Sequence, residues 1–116
     1  MGAAVIVLEV IIVGQLTRES MKGLLAPASA AIKRTSDPCA VLVDCLGMTG
    51  YDLDARKIFV DWNAEHRKRV DRVAIITDKQ LWQLVVTAMA LASGQRMQPF
   101  STRSAGREWA AGKPKP

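Results

Sequence analysis

Apolar and polar positions along this chain switch between two periods. Ala4–Val13 is a nearly unbroken run of Val, Ile, Ala and Leu, interrupted only by Glu9. It reads as a long buried strand that Gly14 ends. From Thr17 the spacing changes: Met21, Leu24, Leu25, Ala28 and Ile32 recur at i, i+3, i+4, i+7 and i+11. That is one face of a helix, with Thr17 as its N-cap and Glu19 in its first turn. Pro27 falls inside the helix and removes one backbone hydrogen bond, so a bend is expected. Ser36-Asp37-Pro38 closes the segment as a turn.

The pattern then repeats. Cys39–Cys45 is a second apolar strand ending beside Asp44, and Leu46–Tyr51, with Gly47 and Gly50, reads as a loop. Asp52 is the expected cap of a second helix that carries Ala55, Ile58, Phe59 and Trp62 inward, with Asp54 and Arg69 at the ends that suit their charges. Arg72–Thr77 is a third strand, and Asp78 is the expected cap of a third helix running to about Ser93, with Gly94 as its stop. A short strand over Met97–Phe100 and a last helix over about Thr102–Ala111, anchored by Trp109, complete the alternation. Alternating strands and helices imply an α/β domain over residues 1–111, with a mostly parallel sheet of four or five strands and about four helices. Ligands of such sheets collect at the carboxyl ends of the strands. Residues 112–116 form a basic tail expected to be disordered.

The third helix departs from the usual pattern. On a helical wheel Leu81, Leu84, Val85, Ala88, Met89, Leu91 and Ala92 cover the expected core face, and Trp82, Val86 and Ala90 extend the apolar surface around the side. Only Gln83 and Thr87 mark a polar stripe. The apolar arc spans roughly 260°, far more than the ~100° a surface helix needs. Such a helix must bury a second face against the last helix and Trp109, another subunit, an apolar ligand or a membrane surface. Trp82, Val86, Met89 and Ala90 are therefore the candidate ligand or dimer-interface residues.

Charge and cysteine content narrow the picture. The net charge is +5. Part of the excess lies in the tail, and part in His66-Arg67-Lys68-Arg69 with Arg72, where cations complement a helix carboxyl end. No aromatic residues interleave with these cations, so no nucleic-acid partner is expected. Cys39 and Cys45 fall on one strand, roughly 20 Å apart and beyond disulfide reach. They are expected to be buried thiols of a cytoplasmic protein. Ala3–Val13 is shorter than the about 20 residues that span a bilayer. It lacks the basic start and small-residue cleavage site of a leader, and Ile6 breaks a myristoylation motif. No transmembrane segment is expected, although peripheral membrane contact remains open.

Several motifs together resemble the SpoIIAA-like proteins, which share the fold of STAS domains and are relatives of CRAL-TRIO lipid-transfer domains. These are Gly14-Gln15-Leu16-Thr17 after the first strand, Leu42-Val43-Asp44 before Gly47 and Tyr51-Asp52, Arg72-Val73-Ala74-Ile75-Ile76 followed by Asp78, and Phe100 with Trp109. The resemblance covers about residues 4–111. It implies a βα superhelix and frequent dimerisation. In STAS anti-sigma-factor antagonists a phosphorylated serine opens the helix, in an Asp-Ser-Ser-Gly setting. Here Asp52 matches the acid, but Leu53-Asp54-Ala55 replaces the rest, and a leucine accepts no phosphate. No phosphorylation site is therefore expected; Thr49, the nearest hydroxyl, does not match the motif.

Catalytic constellations are not apparent. Gly47-x-x-Gly50 lacks the spacing and lysine of a phosphate-binding loop. The lone histidine, His66, is expected on the surface at the far end of its helix, away from any nucleophile. Asp44, Thr49, Tyr51 and Asp52 gather at one strand end, with Asp52 as a cap and Asp44 accepting hydrogen bonds from loop backbone. No metal site and no cofactor are expected. The sequence thus points to a non-enzymatic regulatory or protein-interaction domain that dimerises through 78–93. The alternative is a carrier of a small apolar or lipid-like ligand held near that helix.

Overall fold

A computed structural model describes residues 5–112. Four strands, β1 (Ile6–Leu16), β2 (Cys39–Tyr51), β3 (Val70–Ile76) and β4 (Met97–Phe100), alternate with four helices, α1 (Arg18–Arg34), α2 (Leu53–His66), α3 (Gln80–Ser93) and α4 (Arg103–Ala110). The strands form one sheet in the order β1-β2-β3-β4, and every adjacent pair is parallel. The expected α/β architecture is present, with four strands. Ala4 and residues 113–116 of the tail lie outside the described residues.

One layer of the core joins α1, α2 and α3 to the sheet through Met21, Leu25, Val41, Val43, Phe59, Trp62, Val73 and Val86. Among the described residues, α4 alone covers the opposite face, over Ala40, Leu42, Ala74 and Ile76. Thr17 caps α1 as expected, with its hydroxyl accepting from the Ser20 amide and the Ser20 hydroxyl accepting from the Thr17 amide. Trp62 donates to the Ser29 hydroxyl at 2.8 Å, fixing α2 against α1.

Boundaries differ from the sequence reading where the backbone bends without breaking. Gly14 does not end β1: at φ 76° it takes a left-handed conformation beside a register shift, and pairing continues through Val13–Gly47, Gly14–Met48, Gln15–Gly50 and Leu16–Tyr51. The expected loop Leu46–Tyr51 is therefore the continuation of β2, because β1 extends alongside it. Bulges of this kind keep a ladder going while re-aiming side chains. β1 is also an edge strand rather than a fully buried one, and Ile11 and Val13 are exposed. β3 begins two residues before the expected start, at Val70. α2 stops at His66, so Arg69 lies in the following turn and donates to the Thr35 carbonyl. His66 is not a free surface residue; its ring packs 4.6 Å from that of Trp62.

The largest correction concerns α3, which is rotated relative to the expected wheel. Its N-cap is Lys79 rather than Asp78. Leu81, Leu84, Ala88, Leu91 and Ala92, expected in the core, are exposed, while Val86 and Ser93 are buried. Trp82, Val85, Met89 and Ala90 are half-buried against the core. The physical reason is that α3 carries no charged residue, so no charged face dictates which side turns outward. Local polar bonds decide instead. Gln83, expected in the solvent stripe, is half-buried and donates to the Thr77 carbonyl at 2.9 Å, and Ser93 donates to the Met89 carbonyl at 2.7 Å.

Candidate functional site

At the carboxyl ends of β1, β2 and β3 the helices leave an apolar cavity of about 60 Å³ beneath α3. Strand extension builds its floor: without the second half of β2, Met48 and Tyr51 would not reach it. Trp82, Val86 and Met89 of α3 form its roof, and Phe59 of α2 closes one side. Tyr51 and Trp82 meet edge-to-face with ring centroids 6.1 Å apart, a geometry favoured by the charge distribution of aromatic rings. Cys45 also lines the space. Burial, with a smaller effect of Asp44, pushes its thiol up to about 12, so it stays protonated.

Two cations border this cavity. Arg56 is exposed and lines its mouth. Lys79 donates to the Met48 carbonyl at 3.4 Å and places its ammonium 4.0 Å from the Trp82 ring centroid, a cation–π contact. The helices beside them begin without side-chain caps: neither Asp52 at the start of α2 nor Lys79 at the start of α3 makes a capping bond. Asp52 accepts instead from the Gln15 side chain at 3.1 Å.

The structure therefore brings together Trp82, Val86, Met89 and Tyr51, which the sequence had assigned to two different groups. Ala90 packs against the core nearby. Thr49 is exposed on β2, and Asp52 holds the N-cap position of α2. Asp44 does not join this group. One of its oxygens accepts from the Leu46 amide at 2.9 Å, and the other takes Arg103 of α4 at 2.6 Å. Arg103 and Arg107 also pair with Glu9, so these charges secure α4 on the opposite face. Contact with Arg107 and Arg103 holds the Glu9 carboxyl below the ordinary carboxylate range, against the opposing effect of burial.

Cys45, Met48, Arg56 and Lys79 are the residues that sequence reasoning missed. Treating 46–51 as a loop removed Met48 from consideration, Cys45 was read only as a buried thiol, and a strand reading of Leu46–Tyr51 would have turned Met48 toward the core. Among the described residues no group of His, Cys, Asp and Glu could hold a metal ion. No helix among them is long and apolar enough to cross a membrane.

Comparison with known proteins agrees with the architecture. Residues 7–111 match the SpoIIAA-like family. The crystal structure of an uncharacterized protein from Shewanella loihica with a SpoIIAA-like fold superposes with a TM-score of 0.72 at 21% identity, covering 88% of this chain and 82% of that one. Among curated proteins none matches the chain.

Proposed function

This chain belongs to the SpoIIAA-like family, and from that premise we propose that it is a non-catalytic interaction domain that pairs with a second copy of itself through the outer face of α3. The observation that carries this reading is the row Leu81, Leu84, Ala88 and Leu91. Its 3-4-3 spacing is the seam that one helix offers another. The three leucines are 76%, 69% and 82% exposed, and no charge interrupts them. Ala88, near the middle, lets two helix backbones approach closely. A two-fold axis would set the same row of a second copy opposite it, as a self-complementary interface requires. Two such faces would bury on the order of 1,000 Å² in total, about the lower bound of a specific interface. Light scattering on eluting protein at about 100 µM tests this: a dimer mass for the wild type and a monomer mass for Leu84→Glu support it. A monomeric wild type contradicts it.

A second reading rests on the cavity on the inner side of the same helix. A partly open space with an apolar surface at the strand ends suits a small apolar ligand, and in this reading the domain carries one. The two proposals use opposite faces of α3 and do not compete for side chains.

A further inference from the structure

The mouth of the cavity carries chemistry that the ligand reading alone does not use. We propose that the site takes a small anionic amphiphile: an apolar tail in the cavity and a carboxylate or phosphate head at Arg56 and Lys79. This inference rests on the reading of the cavity as a ligand site and adds the head-group chemistry.

Three independent observations converge. First, the cavity exceeds the room one water needs, yet the surface turned into it is apolar. A water there would lack the two to four polar partners that hold one in place, whereas an alkyl group would not. Second, Arg56 lines the cavity and Lys79 touches two of its lining residues, Met48 and Trp82, and among the described residues neither cation pairs with a carboxylate. Lys79 is held by a carbonyl and an aromatic face, partners that position an ammonium without neutralising it. Third, α2 and α3 both present their first turn here, through Ala55 and Arg56 in one and Trp82 in the other. Neither first turn has a side-chain capping bond, but Asp54 occupies that of α2 while that of α3 carries no acid, so the positive dipole end of α3 is the one that adds to the two side-chain cations.

The acidic neighbours are turned to partners other than the two cations: Asp52 accepts from the Gln15 side-chain amide, and Asp54 acts on Lys57. Asp78 precedes Lys79 in an exposed position, while the Lys79 ammonium turns to Met48 and Trp82. An amphiphile with a cationic head would be repelled by the Arg56 and Lys79 side chains. One with a neutral head would gain from the cavity alone.

Trp82 forms part of the roof, so its fluorescence reports occupancy. Titration of the full chain with hexanoate, hexyl phosphate, hexanol and hexylamine separates the possibilities. The expected result is saturable quenching by hexanoate or hexyl phosphate at least tenfold tighter than by hexanol, with hexylamine weakest. The relative strengths of the two anions distinguish a carboxylate from a phosphate ligand. Lys79→Glu with Arg56→Glu should remove the tenfold preference of the anions over hexanol. Equal binding of all four probes would overturn the head-group assignment and leave the apolar site standing. Binding of none would overturn both. Should the double variant fold poorly, the ranking of the four probes on the wild type decides by itself.

Discussion

The two faces of the sheet are closed by opposite means. On one, α4 spans eight residues and is strongly charged. Arg103 reaches both Glu9 and Asp44, Arg107 reaches Glu9, and Arg72 donates to the Trp109 carbonyl at 2.6 Å. Gly106 lies so close to the sheet that a Cβ there would clash with the Ile76 side chain. Charge and close backbone approach fix this helix in a single position. On the other face, α3 spans fourteen residues without a charge. It is anchored by local hydrogen bonds of Gln83 and Ser93 and by a left-handed Gly94 at its end. It leaves leucines outside and a cavity inside. The contrast teaches that apolar packing without charges leaves exposed leucines and unfilled space, on which the proposed binding rests, while the ionic face contributes position.

The sharpest way to break the comparison lies within α3 itself. Val86→Asp buries an unpaired charge and should cost about 4 kcal/mol or more in chemical denaturation. Leu84→Asp, two residues away, should change monomer stability by no more than about 0.5 kcal/mol. Equal costs would show that the rotation of α3 is wrong. Across the sheet, Gly106→Val forces α4 away from the buried Ile76, and overpacking of this kind should cost about 2 kcal/mol. Retained stability with α4 still docked would mean that the close approach is not what seats it.

A smaller effect is expected from the ion network, because its members are partly solvated. Glu9→Gln should cost about 1 kcal/mol at pH 7. Its sign with pH follows from the lowered carboxyl. The Glu9 contribution is complete above the unfolded-state value of about 4.3 and is lost as pH falls through the lower folded-state value. The variant should therefore lose less stability than the wild type between neutral and acidic pH. Parallel acid profiles for the two proteins would remove Glu9 from the account.

Much of this arrangement was legible in the residues, and the failures have identifiable causes. Strand and helix alternation, the Thr17 cap, the Gly94 stop and the bounds of β4 follow from local chemistry. The second half of β2 was hidden because Gly47 and Gly50 are turn formers in isolation, and only the pairing with β1 makes them strand. The rotation of α3 was hidden because its composition is apolar all round, so hydrophobic periodicity carries no phase information. The cavity was illegible for a related reason: Met48 and Trp82 are far apart in sequence and meet only once both errors are corrected. Glu9 appeared as a blemish in an apolar run, and its partners Arg103 and Arg107 lie at the other end of the chain.

Pairing of two α3 helices is tested most directly by placing a thiol on the seam. Both native cysteines are buried, so an introduced one dominates oxidation. In air, Ala88→Cys should form a disulfide-linked dimer that keeps the wild-type circular dichroism, while Ser104→Cys, exposed on α4, should remain monomeric under non-reducing conditions. A monomeric Ala88→Cys, or equal cross-linking at both positions, contradicts the pairing of α3 with its copy.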